Sequence, residues 1–216
     1  MKRVLLICLA LVLALVGGST VGAQEGFYVI PTMKKNYAPV PKTGQTTQWG
    51  PWGIRDDGAL KKGVAWPTPR FTDNNNGTVT DNLTGLIWTK NANMFGTLKW
   101  EVGMTPTACA ACNTLNSPEH GLTDGSVEGN WRLPNRKELE SLVSCGFYGP
   151  ALPNTLGTDT WTEGNPFQGV QSSNYWSSST YKQNPGYAWS VDFYDGFAGY
   201  SNKDYNLYVW CVRGGK

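Results

Sequence analysis

Histidine is nearly missing from this chain of 216 residues; His120 is the one example. A histidine-based zinc site, or Ser-His-Asp or Cys-His catalysis, would have to pass through it. It sits in Ser117-Pro118-Glu119-His120-Gly121, which reads as a polar surface loop. Charge is also scarce, at 16% of residues, and neither sign dominates. The formal +2 comes from 18 basic against 16 acidic residues, and loss of Lys2 and Arg3 with a leader makes that 16 against 16. A basic footprint for nucleic acid is therefore absent, and so is a field for general capture of acidic polymers.

Long apolar runs are lacking too, apart from one at the start. Lys2-Arg3, thirteen apolar residues from Val4 to Val16, and Val21-Gly22-Ala23 read as a secretory signal with a small-residue cleavage site. That run is too short to span a bilayer, and Cys8 within it has no lipobox before it. Cleavage after Ala23 would leave 193 of the 216 residues, periplasmic or extracellular and without a membrane span.

Four cysteines remain after the leader: Cys109, Cys112, Cys145 and Cys211. An even number in an exported chain favours two disulfides, in any of three connectivities. Ten Trp, ten Tyr and 26 Gly suit a loop-rich extracellular domain with an aromatic core.

Residues 24–69 hold Pro31, Pro39, Pro41, Pro51, Pro67 and Pro69 with no sustained period, and read as an extended arm. Trp49, Trp52 and Trp66 predict that this arm lies partly on the domain surface. From residue 70 to 216 the pattern is that of one α+β domain. Phe71-Thr72, Asp73 to Gly77 and Thr78 to Thr80 predict a hairpin with an Asn/Gly turn, and Leu86 to Trp88 a buried strand. Thr105-Pro106 predicts the start of a helix over 106–115 with Ala108, Ala111, Cys112 and Leu115 on its apolar face. Asn135 and Glu138 form a capping box for a second helix over 136–145, with Leu139, Leu142 and Val143 facing inward and Gly146 as its stop. Three strands of a meander follow, at Tyr175–Tyr181, Tyr187–Phe193 and Leu207–Val212, with Tyr194 to Asn206 as the longest link.

Chemistry-bearing patterns are few. Cys109-x-x-Cys112 has redox spacing, but Ala110-Ala111 and the absence of a βαβ context favour structural disulfides. Asp73-x-Asn75-x-Gly77 resembles a short calcium loop, yet its glycine is one place early and Thr84 stands where an acid belongs, so it reads as a turn. Tyr175 to Ser179 alternates aromatic with small polar residues and reads as core.

The series Phe71 to Trp88, then Trp131-Arg132-Leu133-Pro134-Asn135-Arg136-Lys137-Glu138-Leu139, then Tyr175-Trp176-Ser177-Ser178-Ser179 and Tyr208 to Gly215 resembles the Lcl C-terminal domain family. That family is named for the end domain of a collagen-like bacterial adhesin. The R-L-P-N-x-x-E-L portion more distantly resembles the sulfatase-modifying (formylglycine-generating) family. Both resemblances imply a C-type-lectin-like fold of two helices and short antiparallel strands. In the naming adhesin the resemblance implies binding of sulfated glycans, whereas the balanced charge here points away from a sulfated ligand. The lectin-like pattern also ties the first helix to the last strand, which implies Cys112 with Cys211 and leaves Cys109 for Cys145.

The expected function is a binding module, adhesin-like and without catalysis or cofactor, for a glycan or other extracellular ligand. The alternatives are a formylglycine-generating-like or thiol-redox enzyme, or a structural domain of a surface assembly. Seven of the ten tyrosines lie between Tyr175 and Tyr208 among small polar residues, a composition used by adaptable binding surfaces. The expected ligand surface is the long link and its neighbouring turn: Tyr181, Lys182, Tyr187, Tyr194, Asp195, Phe197, Tyr200, Asn202, Lys203 and Tyr205.

Overall fold

In the computed structural model, which describes residues 40–51, 54–100 and 107–214, helix nucleation follows local capping. The helix Arg136–Glu140 (α3) begins where expected. The Asn135 side chain accepts from the Glu138 N–H at 3.0 Å, and the Glu138 carboxylate accepts from the Asn135 N–H at 2.7 Å. Its expected extension to residue 145 is corrected: the helix stops at Glu140, well before Gly146. The Ser141 hydroxyl turns back to donate to the Glu138 carbonyl at 2.7 Å, and the Ser141 carbonyl accepts from the Arg70 guanidinium at 2.8 Å. The Ser144 and Cys145 N–H groups then bond Ala151 and Thr43 rather than the helix. The other expected helix covers Ala108–Asn113 (α2) and is capped by Thr107, not Thr105; Thr105 and Pro106 lie outside the described residues.

Two sheets carry the remaining order. Phe71–Asp73 (β1), Thr78–Asp81 (β2), Ile87–Thr89 (β3) and Val212–Arg213 (β9) form the first, in the order β1-β2-β3-β9. The Asn/Gly hairpin is present, with Phe71 opposite Asp81 and Asp73 opposite Val79. Thr97–Leu98 (β4), Asn174–Thr180 (β5), Tyr187–Asp192 (β6), Ala198–Asn202 (β7) and Leu207–Tyr208 (β8) form the second, in the order β4-β8-β5-β6-β7. Every pairing is antiparallel except that of β5 with β8.

Two expectations are corrected here. The link from Tyr194 to Asn206 is not a free loop, because β7 occupies its middle and completes a β5-β6-β7 meander. The apolar run Leu207–Val212 is not one strand: β8 joins the second sheet, β9 joins the first, and Val209 to Cys211 cross between them. Short helices on largely antiparallel sheets make this an α+β or mostly-β fold.

The core has two clusters with that crossing at their boundary. Trp88, Phe167, Tyr175, Phe193 and Trp210 pack edge to face in the first, against Leu139 of α3 and Leu142 just beyond its end. Trp131, Trp176, Leu115, Leu122 and Val209 form the second. Each large apolar side chain so buried contributes about 1.5–3 kcal/mol. Cys112 and Cys211 are bonded as expected, with Cα atoms 5.5 Å apart. Cys109 and Cys145 are not bonded to each other, which corrects the second pairing. Cys109 packs against the second cluster on α2, while Cys145 is exposed beside Thr43.

Residues 40–69 do lie on the domain, but as a folded-back lobe rather than an extended arm. The Val64 N–H bonds the Val40 carbonyl at 2.8 Å and the Lys42 N–H bonds the Val64 carbonyl at 3.0 Å. Between them runs the short helix Asp57–Leu60 (α1). The Asp56 carboxylate gathers the N–H groups of Trp49, Gly50 and Ala59. The Trp66 indole donates to the Lys42 carbonyl at 2.8 Å and lies under the Arg70 guanidinium. Gly44, at φ +89°, permits the closest approach, because a Cβ there would collide with Ser144 and Trp66. The expected leader 1–23, the arm's residues 24–39 and Trp52 lie outside the described residues.

Candidate functional site

Alternate side chains of β6 point to one face of the second sheet. On the face that α3 covers, Val191 and Ala198 meet the first cluster. Two residues further along the same face, Trp189 stands opposite Tyr200, and beyond it Tyr187 stands opposite Asn202. Here the helix no longer covers the sheet. Tyr181, just past β5, lays its ring parallel to Tyr200 with centroids 4.2 Å apart. Its edge meets Trp189 at 5.5 Å, and Tyr187 and Trp189 each meet Tyr200 at 5.9 Å. At the inner end the Arg136 guanidinium lies 3.8 Å above the Trp189 ring, held by a 2.7 Å bond to Glu140. Tyr200 remains 51% exposed, and Lys182, Gln183 and Asn184 rim the patch in the adjoining turn. The result is a rigid aromatic platform with a polar edge.

The ten expected site residues do not form one surface. Tyr181, Lys182, Tyr187, Tyr200, Asn202 and Tyr205 belong to this end of the β6-β7 hairpin, where the Tyr205 N–H bonds the Asn202 carbonyl. Tyr194, Asp195 and Phe197 belong to the tight turn at the other end, about 13 Å away at roughly 3.3 Å per residue. That turn is closed by Gly196 at φ +83°, where a Cβ would strike Val143. Tyr194 there meets Tyr148, a second exposed aromatic pair.

Lys203, expected on the ligand surface, is buried rather than exposed. It is 9% exposed, with its ammonium 3.7 Å from the Trp100 ring and bonded to the Thr180 hydroxyl at 3.1 Å. Asp195 and Asn202 each spend a side-chain oxygen on their own turns, accepting from Phe197 and Asp204. Trp189 and Arg136 were missed as site residues. The alternation Tyr187, Trp189, Val191 carried the signal for the first, and the helix start beside it for the second.

The other candidate chemistry resolves into structure. Cys112 is bonded to Cys211, so Cys109-x-x-Cys112 is not a redox pair. Asp73 accepts from Asn75 and pairs with Lys90 at 2.7 Å, as a turn does. His120 lies edge-on to Phe95 in a 3-10 turn. No group of three or more His, Cys, Asp or Glu that could hold a metal occurs among the described residues. The R-L-P-N-x-x-E stretch is a structural knot. Arg132 grips Glu138 with two bonds of 2.7 and 2.6 Å, donates to the Gly214 carbonyl at 3.0 Å, and exchanges backbone bonds with Val212.

A cleft of about 520 Å³ opens where the lobe meets α3, lined by Val40, Pro41, Lys42 and Trp66 on one side and Lys137, Glu140, Val143 and Cys145 on the other. Among the described residues no helix is long and apolar enough to cross a membrane.

An α+β or mostly-β domain closed by a helix-to-end disulfide, with an aromatic sheet face, is the class that these features define. The chain belongs to the Lcl C-terminal domain family, whose pattern matches residues 77–213, more than half of its length. No curated protein and no solved structure matches it.

Proposed function

We propose that this protein is an exported, adhesin-like binding module of C-type-lectin-like fold that takes carbohydrate on the platform of Tyr181, Tyr187 and Tyr200. The observation that carries the reading is the half-exposed aromatic cluster on a paired sheet, preorganised before any ligand arrives. Aromatic rings offer flat apolar faces at low entropy cost, and the neighbouring amides and Lys182 suit sugar hydroxyls. The lectin-like reading is supported by the Cys112–Cys211 bond, which ties α2 to the segment just before the last strand. Export is supported by the leader pattern and by that same disulfide. The reading includes no catalytic step and no cofactor.

The test is a glycan array probed with the protein lacking residues 1–23, in parallel with Tyr200→Ala. Binding to one class of neutral glycan by the parent and its loss in the variant, with the melting temperature within a few degrees, supports the platform. Binding unchanged in Tyr200→Ala removes it.

A further inference from the structure

We propose that the cleft between the lobe and α3 is a second binding site, for a small molecule with an apolar body and a single carboxylate. Its volume of about 520 Å³ falls within the range of small-molecule pockets. Its walls are mainly apolar, from Val40, Pro41, Trp66, Leu83 and Val143. Lys42 stands among them, and no hydrogen bond or ion pair of its side chain occurs among the described residues, though its backbone is fixed on both sides. Across the cleft one carboxylate, Glu140, serves two cations, bonding Arg136 at 2.7 Å and Lys137 at 3.0 Å. The lining therefore carries more positive than negative charge, which suits an anionic ligand.

The apolar walls decide which anion. A dianion such as phosphate would lose too much hydration there for one lysine to offset. A monocarboxylate keeps its head at Lys42 while its body covers the Trp66 and Val143 surfaces, gaining about 25 cal/mol per Å² of apolar area removed from water. This site is separate from the tyrosines of the sheet platform; Glu140, which bonds Arg136 beside Trp189, also lines the cleft.

The experiment uses the protein lacking residues 1–23 with dansyl-undecanoate as fluorescent probe, competed by decanoate and by decanol. Decanoate should displace the probe about tenfold more effectively than decanol. Lys42→Gln should erase that difference, Lys42→Arg should keep it, and Leu83→Trp should weaken both competitors by narrowing the cleft. Tyr200→Ala should change none of these values. Circular dichroism and melting of Lys42→Gln identify any loss of the fold. Equal competition by decanol and decanoate, undiminished decanoate binding by folded Lys42→Gln, or no probe binding up to millimolar concentration would each overturn the proposal.

Discussion

Arg132, Asn135 and Glu138 show how much one short stretch can do with three side chains. Burial raises the Glu138 carboxyl, and the Arg132 guanidinium and Asn135 N–H more than offset it, holding it below the ordinary carboxylate range. Asn135→Ala removes the cap of α3 and should cost about 1 kcal/mol, read by urea unfolding. Glu138→Ala should cost more than Asn135→Ala, because it breaks the bidentate pair and half of the capping box together. If the two variants unfold alike, the Arg132 bonds contribute nothing and the motif is only a cap. Cys112→Ser is the larger residue-scale change. Its disulfide closes a separation of 99 residues, so its loss should cost on the order of 4–5 kcal/mol in the loop-entropy model. A melting temperature unmoved by reductant would contradict that.

At the scale of elements, the lobe is joined to the segment that follows α3 by a few close contacts. Gly44→Val would push Ser144 and Trp66 away at a φ that valine avoids. The expected result is a lobe released from α3 while both core clusters persist. Hydrogen exchange should speed at Cys145, whose N–H bonds Thr43, and stay slow at Val191. Uniform loss of protection would show instead that lobe and core unfold as one unit. Which elements the sequence made legible follows from how local their causes are. The Asn135 capping box and the Asn/Gly hairpin are legible because their partners are three to ten residues apart. Asp195-Gly196 is an equally local hairpin signal, yet Ala198 to Asn202 has no apolar alternation, and only pairing with β6 makes it a strand. Leu207 to Val212 shows the opposite difficulty. Its apolar run is continuous, and nothing in it marks where one sheet yields to the other. A lysine in a polar link, such as Lys203, reads as exposed, whereas the Trp100 ring that buries it lies far away in sequence. The platform is half legible: its tyrosines stand out in the sequence, whereas Trp189 reads only as strand.

For the whole molecule, the segment Val209 to Cys211 holds the two sheets together, with Trp210 in one cluster and Val209 and Cys211 in the other. The carboxylates are spread in a comparable way, and this fixes the response to acid. Bonds from Trp49 and other N–H groups lower Asp56 in the lobe. Asp73 in the first sheet, though raised by burial, is lowered further by Lys90 and Asn75. Glu140 on α3, also raised by burial, is lowered by Lys137 and Arg136. Together with Glu138, these four groups have folded values below their unfolded ones. Their contribution is therefore complete above the ordinary 3.8 of aspartate and 4.5 of glutamate, and is lost as pH falls through the folded values. The melting temperature should be nearly level from pH 8 to about 5 and should fall steeply below about 4. Glu138→Gln should flatten that acid slope while leaving the level region flat, because one of the four protons is then no longer taken up on unfolding. A melting temperature that rises on acidification would mean that these carboxylates are governed by desolvation rather than by their partners.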